Sequence, residues 1–150
     1  MSVHQKIMNQ AYGQYDEYRN YDHFVKGISE IERQAVLTGI MNYQVENGGF
    51  IQWFDNNYGT TIAVQEIVKV AEMIKTPVAA KVKELMTKYL EAVDDACDDP
   101  YNLRDGEWEY INHELGLLDY KYYAISGRWL KELDQFFQQT EAEPDLSLSF

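Results

Sequence analysis

The chain has 150 residues, of which 45% are hydrophobic, so one domain can bury a core large enough to be stable without disulfides or metals. Its formal net charge of -12 argues against direct binding of nucleic acid or of an anionic membrane surface, because both are bound through Lys and Arg. Cys97 is the single cysteine, and neither a leader nor an apolar run of ~18 residues is evident, so we predict a cytoplasmic protein.

The first predicted helix covers residues 2–12, where Val3, Ile7, Met8 and Ala11 share one face. Gly13 is expected to end it. A run of rings spaced by three residues follows, consisting of Tyr12, Tyr15, Tyr18, Tyr21 and Phe24. On a helix these rings would form a slowly drifting stripe. They are either core-edge rings whose hydroxyls reach water or an aromatic contact surface.

The next predicted helix begins at a capping box formed by Ser29 and Glu32 and runs to Glu46. The sequence Asn47-Gly48-Gly49 then supplies residues that tolerate positive φ at the end of a helix. Immediately afterwards, a short amphipathic helix is predicted from the spacing of Phe50, Trp53 and Phe54. We interpret this block as a structural corner with buried rings rather than as a ligand site.

Two further helix starts are marked by threonines. Thr60 or Thr61 begins one helix, and Thr76 followed by Pro77 begins another. The second helix carries the clearest apolar stripe of the chain, made of Val78, Val82, Leu85, Met86, Tyr89, Leu90 and Val93. It continues directly into an acidic segment.

The last third is predicted to be helical as well. A turn at residues 100–106 precedes a helix with Trp108, Ile111, Leu115 and Leu118 inward, and residues 120–137 give at least one more helix. Residues 141–150 are expected to be an acidic, disordered tail. Because no alternating strand pattern occurs, we predict an all-α fold in which residues 1–140 form a single compact domain of about six to eight helices.

The acidic segment from residue 91 to residue 119 holds ten carboxylates and one cation, Arg104. The carboxylates are Glu91, Asp94, Asp95, Asp98, Asp99, Asp105, Glu107, Glu109, Glu114 and Asp119. Residues 1–90 have a net charge of -1, whereas residues 91–150 have a net charge of -11. Such asymmetry points to a charged partner. A metal and a merely solvated surface are the alternatives.

The placement of four aspartates favours a functional use. Asp94, Asp95, Asp98 and Asp99 lie at the C-terminal end of a predicted helix, where the helix dipole disfavours each negative group by roughly 0.3–1 kcal/mol. Selection for stability alone would favour lysine there. We therefore predict that the ten carboxylates bind a basic partner.

The sequence contains little that would support an enzymatic function. The three histidines, His4, His23 and His113, lack the spacing of metal ligands, and no nucleophile elbow or phosphate loop occurs. Carboxylate pairs such as Asp94 with Asp98 arise on any acidic helix, so they do not specify glycoside hydrolysis. Neighbouring aspartates should raise the pKa of the Cys97 thiol and make it a poor nucleophile. We predict no catalytic residue, no metal and no cofactor.

Two segments resemble landmarks of the neisserial DNA-mimic protein family. The first is Asn47-Gly48-Gly49-Phe50-Ile51-Gln52-Trp53-Phe54-Asp55-Asn56, and the second is Leu118-Asp119-Tyr120-Lys121-Tyr122-Tyr123 followed by a helix. The resemblance covers residues 28–137. It implies an all-helical domain and, in the founding member, an acidic surface that imitates the DNA backbone and occupies the DNA-binding face of a transcription regulator.

The low charge density of the acidic segment limits how well it could imitate DNA. B-DNA carries one charge per ~1.7 Å of axis, whereas the acidic segment drawn as one helix would be ~44 Å long and would carry one net charge per ~5 Å. A mimic must therefore double its surface as a homodimer or bring other carboxylates alongside. The candidates are Glu132, Asp134, Glu141, Glu143 and Asp145.

The predicted function is competitive occlusion of a basic DNA-binding protein, whether a regulator, a nucleoid protein or a nuclease, through charge-assisted hydrogen bonds. The alternative is an immunity-type interaction module that binds a toxin or enzyme through the tyrosine-rich N-terminal surface. Reversing the charges of the acidic segment distinguishes them, because it should abolish binding only in the first case.

Overall fold

A computed structural model describes residues 1–142, in which seven α-helices and no strand form a single compact domain. The helices are α1 (Val3–Tyr12), α2 (Tyr21–Gly27), α3 (Glu30–Asp55), α4 (Thr61–Ile74), α5 (Pro77–Ala96), α6 (Asp105–Tyr123) and α7 (Ser126–Ala142). The all-α class and the number of helices are confirmed. Helix α7 includes the first two residues of the predicted tail, and the rest of that tail lies outside the described residues.

Side-chain caps explain where most of the helices begin. The side chain of the preceding residue accepts a hydrogen bond from a first-turn N–H at Ser2, Asn20, Ser29, Thr60 and Thr76. At Ser29 the predicted capping box is complete, since Glu32 also accepts from the Ser29 N–H at 3.2 Å. Pro77 occupies the first turn of α5, where a missing N–H costs nothing.

The N-terminal tyrosines do not share one helix. Helix α1 ends at Tyr12, a single 3-10 turn spans Tyr15–Glu17, and α2 begins at Tyr21. The rings of Tyr12, Tyr15, Tyr18 and Tyr21 instead surround Phe24, with ring centres 5.0–6.3 Å from its own. Phe24 is completely buried, and of the four tyrosines only Tyr12 is classed as exposed. The rings therefore form no helical stripe, because α1 ends before Gly13 and α2 starts after Asn20. They are core-edge rings, which is the first of the two interpretations given above.

Helix α3 is the centre of the molecule and contacts α1, α2, α4, α6 and α7. Its buried residues include Met41, Val45, Phe50 and Trp53, each with no exposed surface. The helix bends at Gly48 and Gly49, whose φ angles are -152° and 81°. Both residues have non-helical backbone angles, so the two helices predicted before and after this sequence are present as the two halves of α3, joined at a kink.

Helices α6 and α7 divide the last predicted helical segment. Helix α6 continues through the acidic segment to Tyr123, and after Ala124 and Ile125 the chain starts α7 at Ser126. The boundary differs from the prediction because Leu118 and Tyr122 continue the buried stripe of α6. None of the helices in the described part of the chain combines the length and apolar character that crossing a membrane requires.

Candidate functional site

Helices α5 and α6 form an antiparallel hairpin joined by residues 97–104. Because the acidic segment passes through this connection, carboxylates from the last turn of α5, the loop and the first turns of α6 meet at one end. We call this group the acidic end, and it consists of Asp94, Asp95, Asp98, Asp99, Asp105, Glu107 and Glu109. All of these side chains are exposed except Glu107, which is half-buried.

The pKa of the Cys97 thiol depends on how close these carboxylates lie to it. Burial raises the pKa of its thiol, and the charges of Glu107, Asp99, Asp98 and Asp94 raise that pKa further. A thiolate feels a charge only at short range in a partly solvated site. The acidic end therefore gathers residues from both helices around Cys97, and the predicted rise of this pKa agrees with the structure.

Three of the ten carboxylates of the acidic segment hold the backbone in place. Asp99 Oδ1 accepts from the Tyr101 N–H at 3.0 Å, and Glu107 Oε1 accepts from the Arg104 N–H at 3.0 Å, which fixes the loop and the start of α6. Asp119 Oδ1 accepts from the Phe50 N–H at 2.8 Å, far from the acidic end. These three carboxylates therefore have an evident role in the fold.

The other seven have no such role. Glu91, Asp94, Asp95, Asp98, Asp105, Glu109 and Glu114 make no side-chain hydrogen bond and no salt bridge within the described residues. The salt bridges found in that part of the chain involve Asp22, Glu66, Glu72 and Glu84 instead. Negative charge at the acidic end is thus left for solvent or a partner.

The additional carboxylates suggested for a mimic do not join the acidic end. Glu132 accepts from the Thr76 hydroxyl at 2.9 Å, at the opposite end of α5. Asp134 accepts from the His4 N–H at 3.1 Å and so joins α7 to α1. The side chains of Glu141, Glu143 and Asp145 lie outside the described residues. The first two suggestions are wrong because both side chains are used between helices.

The hairpin is basic farther from its loop. Lys88 on α5 pairs with Glu84 at 2.9 Å and also contacts Lys121 on α6. This neighbouring ammonium lowers the pKa of Lys121. Lys88 lies about ten residues before the loop, or ~15 Å along the axis. Lys88 and Lys121 therefore place positive charge on the hairpin away from the acidic end, beside Glu84 and Glu91.

The two landmark segments of the sequence contact each other at the bend of α3. Besides the bond between Asp119 and Phe50, the Tyr122 hydroxyl donates to Asn42 Oδ1 at 2.6 Å, and the Tyr123 hydroxyl donates to the Val45 carbonyl at 3.0 Å. One face of α6 thus holds both sides of the bend. We call this contact the corner.

Buried rings complete the corner. Phe50 and Trp53 pack with Tyr89 and Tyr122 at ring-centre distances of 4.8–6.1 Å. All four side chains are fully buried, and Phe54 is nearly so. Asn47 precedes the bend at Gly48 and Gly49, and a Cβ at Gly49 would lie 2.5 Å from Asp119 Oδ2. The motif Asn47-Gly48-Gly49-Phe50 therefore builds the core at this point.

Two surface residues beside the acidic end were missed by the sequence reasoning. Asp55, in the last turn of α3, is exposed and has no hydrogen bond or ion pair within the described residues. Tyr101, in the loop between α5 and α6, exposes 75% of its surface. The composition of that loop could have indicated Tyr101, whereas only the fold brings Asp55 near it.

One of the three histidines, His4, has a clear structural environment. Within the described residues, no group of three His, Cys, Asp or Glu side chains could hold a metal ion. His4 is buried, and its Nε2 lies 2.8 Å from the Ala35 carbonyl oxygen. Burial lowers the pKa of His4. Its contacts place it between α1 and α3 as a structural residue.

Comparison with known proteins gives one match. A family model described as DMP19-like protein matches residues 26–146, well over half of the chain. This range contains the corner, both landmark segments and the acidic end. No curated protein and no solved structure matches the chain.

Proposed function

The chain belongs to the DMP19-like protein family, and from this premise we propose that it is a DNA mimic whose acidic end occupies the DNA-binding surface of a basic protein. The observation that supports this most directly is the set of exposed carboxylates that make no salt bridge within the described residues. Because no internal ion pair has to be broken there, an incoming Lys or Arg can pair with them directly.

The acidic segment is folded back on itself as a hairpin, so its charges lie closer together than they would on a single helix. The seven carboxylates of the acidic end and Arg104 in the same loop lie within roughly 15 Å of the end of the hairpin, which gives about one net negative charge per 2.5 Å of axis. This approaches the one charge per ~1.7 Å of B-DNA. A hairpin therefore supplies the density that a single helix lacks, and dimerisation is one way to lengthen the surface.

Recognition would follow the rules of protein–DNA contacts. Lys and Arg side chains that hold phosphates would meet carboxylates, with fast association that weakens as salt screens the charges. The partner would be a regulator, a nucleoid protein or a nuclease in the cytoplasm, and its inhibition would be competitive. This mechanism has no chemical step, so we propose no catalytic residue, cofactor or metal.

The N-terminal aromatic surface supports the alternative function less well. Tyr15, Tyr18 and Tyr21 are half-buried around Phe24. They stabilise α2 against the core and leave little ring surface for a toxin or an enzyme.

A capture experiment tests the proposal. The protein and a variant carrying Asp94→Lys, Asp95→Lys, Asp98→Lys and Asp99→Lys are immobilised in parallel, and bound cytoplasmic proteins are eluted by salt or by duplex DNA. We expect the wild-type protein to retain a DNA-binding protein that both eluents release. In an electrophoretic mobility shift assay, the wild-type protein should then displace that partner from DNA.

The charge-reversed variant provides the matched control, because its circular dichroism melting curve shows whether the fold survives. A partner that binds both proteins equally, or that resists high salt and duplex DNA, would contradict mimicry. Such a partner would favour an interaction module that uses a different surface.

A further inference from the structure

A crevice beside the acidic end is built around Tyr101. Together with Phe54, Asp55, Asn57, Pro100, Leu103 and Trp108, this residue lines a depression of about 230 Å³. A smaller depression of about 120 Å³ on the other side of Tyr101 is bordered by Asp94. The two share Phe54, Asn57, Pro100 and Tyr101. Tyr101 therefore borders both depressions, one of which is lined by Asp55 and the other by Asp94, and their surface is mixed polar and apolar.

The position of Tyr101 is set before any partner arrives. Its backbone N–H is held by Asp99 at 3.0 Å, and Pro100 restricts the preceding backbone. Its ring nevertheless remains 75% exposed. A tyrosine side chain has few rotatable bonds, so ordering it at an interface costs little conformational entropy.

The chemistry of this crevice fits a guanidinium group. Asp55 and Asp94 are exposed and unpaired within the described residues, so each can accept charge-assisted hydrogen bonds. The Tyr101 ring offers a face on which a planar cation stacks, and the half-buried Leu103 and Trp108 offer some apolar surface for an alkyl stem. A lysine ammonium is compact and strongly hydrated, so it gains less from the ring.

We propose that the crevice between Asp55 and Asp94 takes an arginine side chain of the basic partner, with Tyr101 stacked on the guanidinium group. The inference rests on the proposed function and adds a preference for arginine over lysine. The phosphate backbone of DNA has no aromatic face, so this contact distinguishes the protein from the duplex that it imitates.

Labelled decaarginine and decalysine peptides serve as probes, because they carry equal charge and differ in side-chain chemistry. Fluorescence anisotropy titrations at low and moderate salt give the ratio of their dissociation constants. We expect the wild-type protein to prefer decaarginine, and Tyr101→Ala to weaken decaarginine binding by about two- to fivefold while leaving decalysine binding nearly unchanged. Tyr101→Phe keeps the ring and should keep the preference.

Tyr120→Ala is the matched control, since Tyr120 is 82% exposed on α6 and lines neither depression. A preference for arginine that survives Tyr101→Ala, or that Tyr120→Ala reduces equally, overturns the inference. Charge reversal of Asp94, Asp95 and Asp98, which leaves the bond between Asp99 and the Tyr101 N–H in place, separates the two proposals. If it abolishes binding of both peptides while Tyr101→Ala has no effect, the acidic end stands and the arginine crevice fails. If charge reversal leaves the binding of both peptides unchanged, the proposal that the acidic end binds the basic partner is wrong as well.

Discussion

The corner and the acidic end contain carboxylates of the same kind in opposite situations. At the corner, Asp119 is half-buried and bonded to Phe50, beside tyrosine hydroxyls that each have an acceptor. At the acidic end, Asp94 and Asp98 are exposed and have no partner in the described residues. The corner stabilises the fold, and so do Asp99 and Glu107 at the acidic end, whereas the unpaired carboxylates of the acidic end have no such contact.

Helix ends show the same contrast. Asp105 and Glu107 lie in the first turn of α6, where the helix dipole favours negative charge, and Glu107 also bonds to the backbone of Arg104. Asp94 and Asp95 lie in the last turns of α5, where the dipole opposes them. Two of these four residues thus serve stability, and two reduce it.

Gly49→Ala should produce the largest effect, because it breaks the corner. Gly49 has a φ of 81° and a ψ of 175°, a region open essentially to glycine alone, and a Cβ there would lie 2.5 Å from Asp119 Oδ2. Backbone strain of this kind costs of order 1–3 kcal/mol. With the clash added, we expect the free energy of unfolding in urea to fall by about 3 kcal/mol.

Gly116→Ala is the control for this change. Gly116 lies inside α6, and a Cβ there would meet nothing within 4 Å. Since alanine is the better helix former, we expect a gain of about 0.5–1 kcal/mol. An unchanged stability of Gly49→Ala would show that the bend tolerates a side chain and would weaken the contrast.

Asp119→Ala comes next, because it leaves the Phe50 N–H at the bend without its acceptor. Losing a partner of this kind costs about 1–3 kcal/mol. Asp119→Asn keeps an acceptor oxygen, so we expect it to cost less than half as much in the same urea titration. Equal losses would mean that the negative charge, not the hydrogen bond, stabilises the corner.

The pH dependence of Asp119 has a definite sign. Burial raises its pKa, and the hydrogen bond from Phe50 only partly counters that rise. A carboxyl with a raised folded-state pKa contributes stability below its unfolded pKa of ~3.9 and loses this contribution as the pH rises through the folded value. The stability of the wild type relative to Asp119→Asn should therefore fall with rising pH in the acid range.

Local signals in the sequence were sufficient for most of the fold. Caps such as Ser29 and Thr76 act within one turn, and the stripe on α5 has a regular period, so both can be recognised without tertiary contacts. The N-terminal tyrosines mislead for the opposite reason. Their spacing of three suits a helix, but their rings are brought together by Phe24, a contact between segments that are not helically continuous.

Only part of the candidate site could be predicted from the sequence. Charge counting finds the acidic end because its members are close in the chain. It cannot separate Asp119 from the others, since the partner of Asp119 is Phe50, distant in sequence. Asp55 was missed for the same reason, because only the bend of α3 places it near Tyr101.

A pair of substitutions at the acidic end should change stability in the opposite direction. Asp94→Lys with Asp95→Lys places positive charge at the C-terminal end of α5 and reduces repulsion among its neighbours. We expect a gain of about 0.3–1 kcal/mol per residue at low ionic strength, measured by thermal melting. The gain should shrink in high salt. A loss of stability would mean that these aspartates support the fold and are not reserved for a partner.

Cys97 gives the smallest effect but the most direct test of how the acidic end is assembled. Burial and the charges of Glu107, Asp99, Asp98 and Asp94 raise the pKa of its thiol. Alkylation by iodoacetamide, followed across pH, should therefore give a midpoint above the ordinary value of ~8.5. Asp94→Asn with Asp98→Asn should lower the midpoint only in part, because burial is the larger cause. Asp119→Asn should leave it unchanged, since Asp119 lies at the corner. If the midpoint did not change on substitution of Asp94 and Asp98, these carboxylates would not lie close to Cys97. The charge density of the acidic end would then be lower than the comparison with DNA requires.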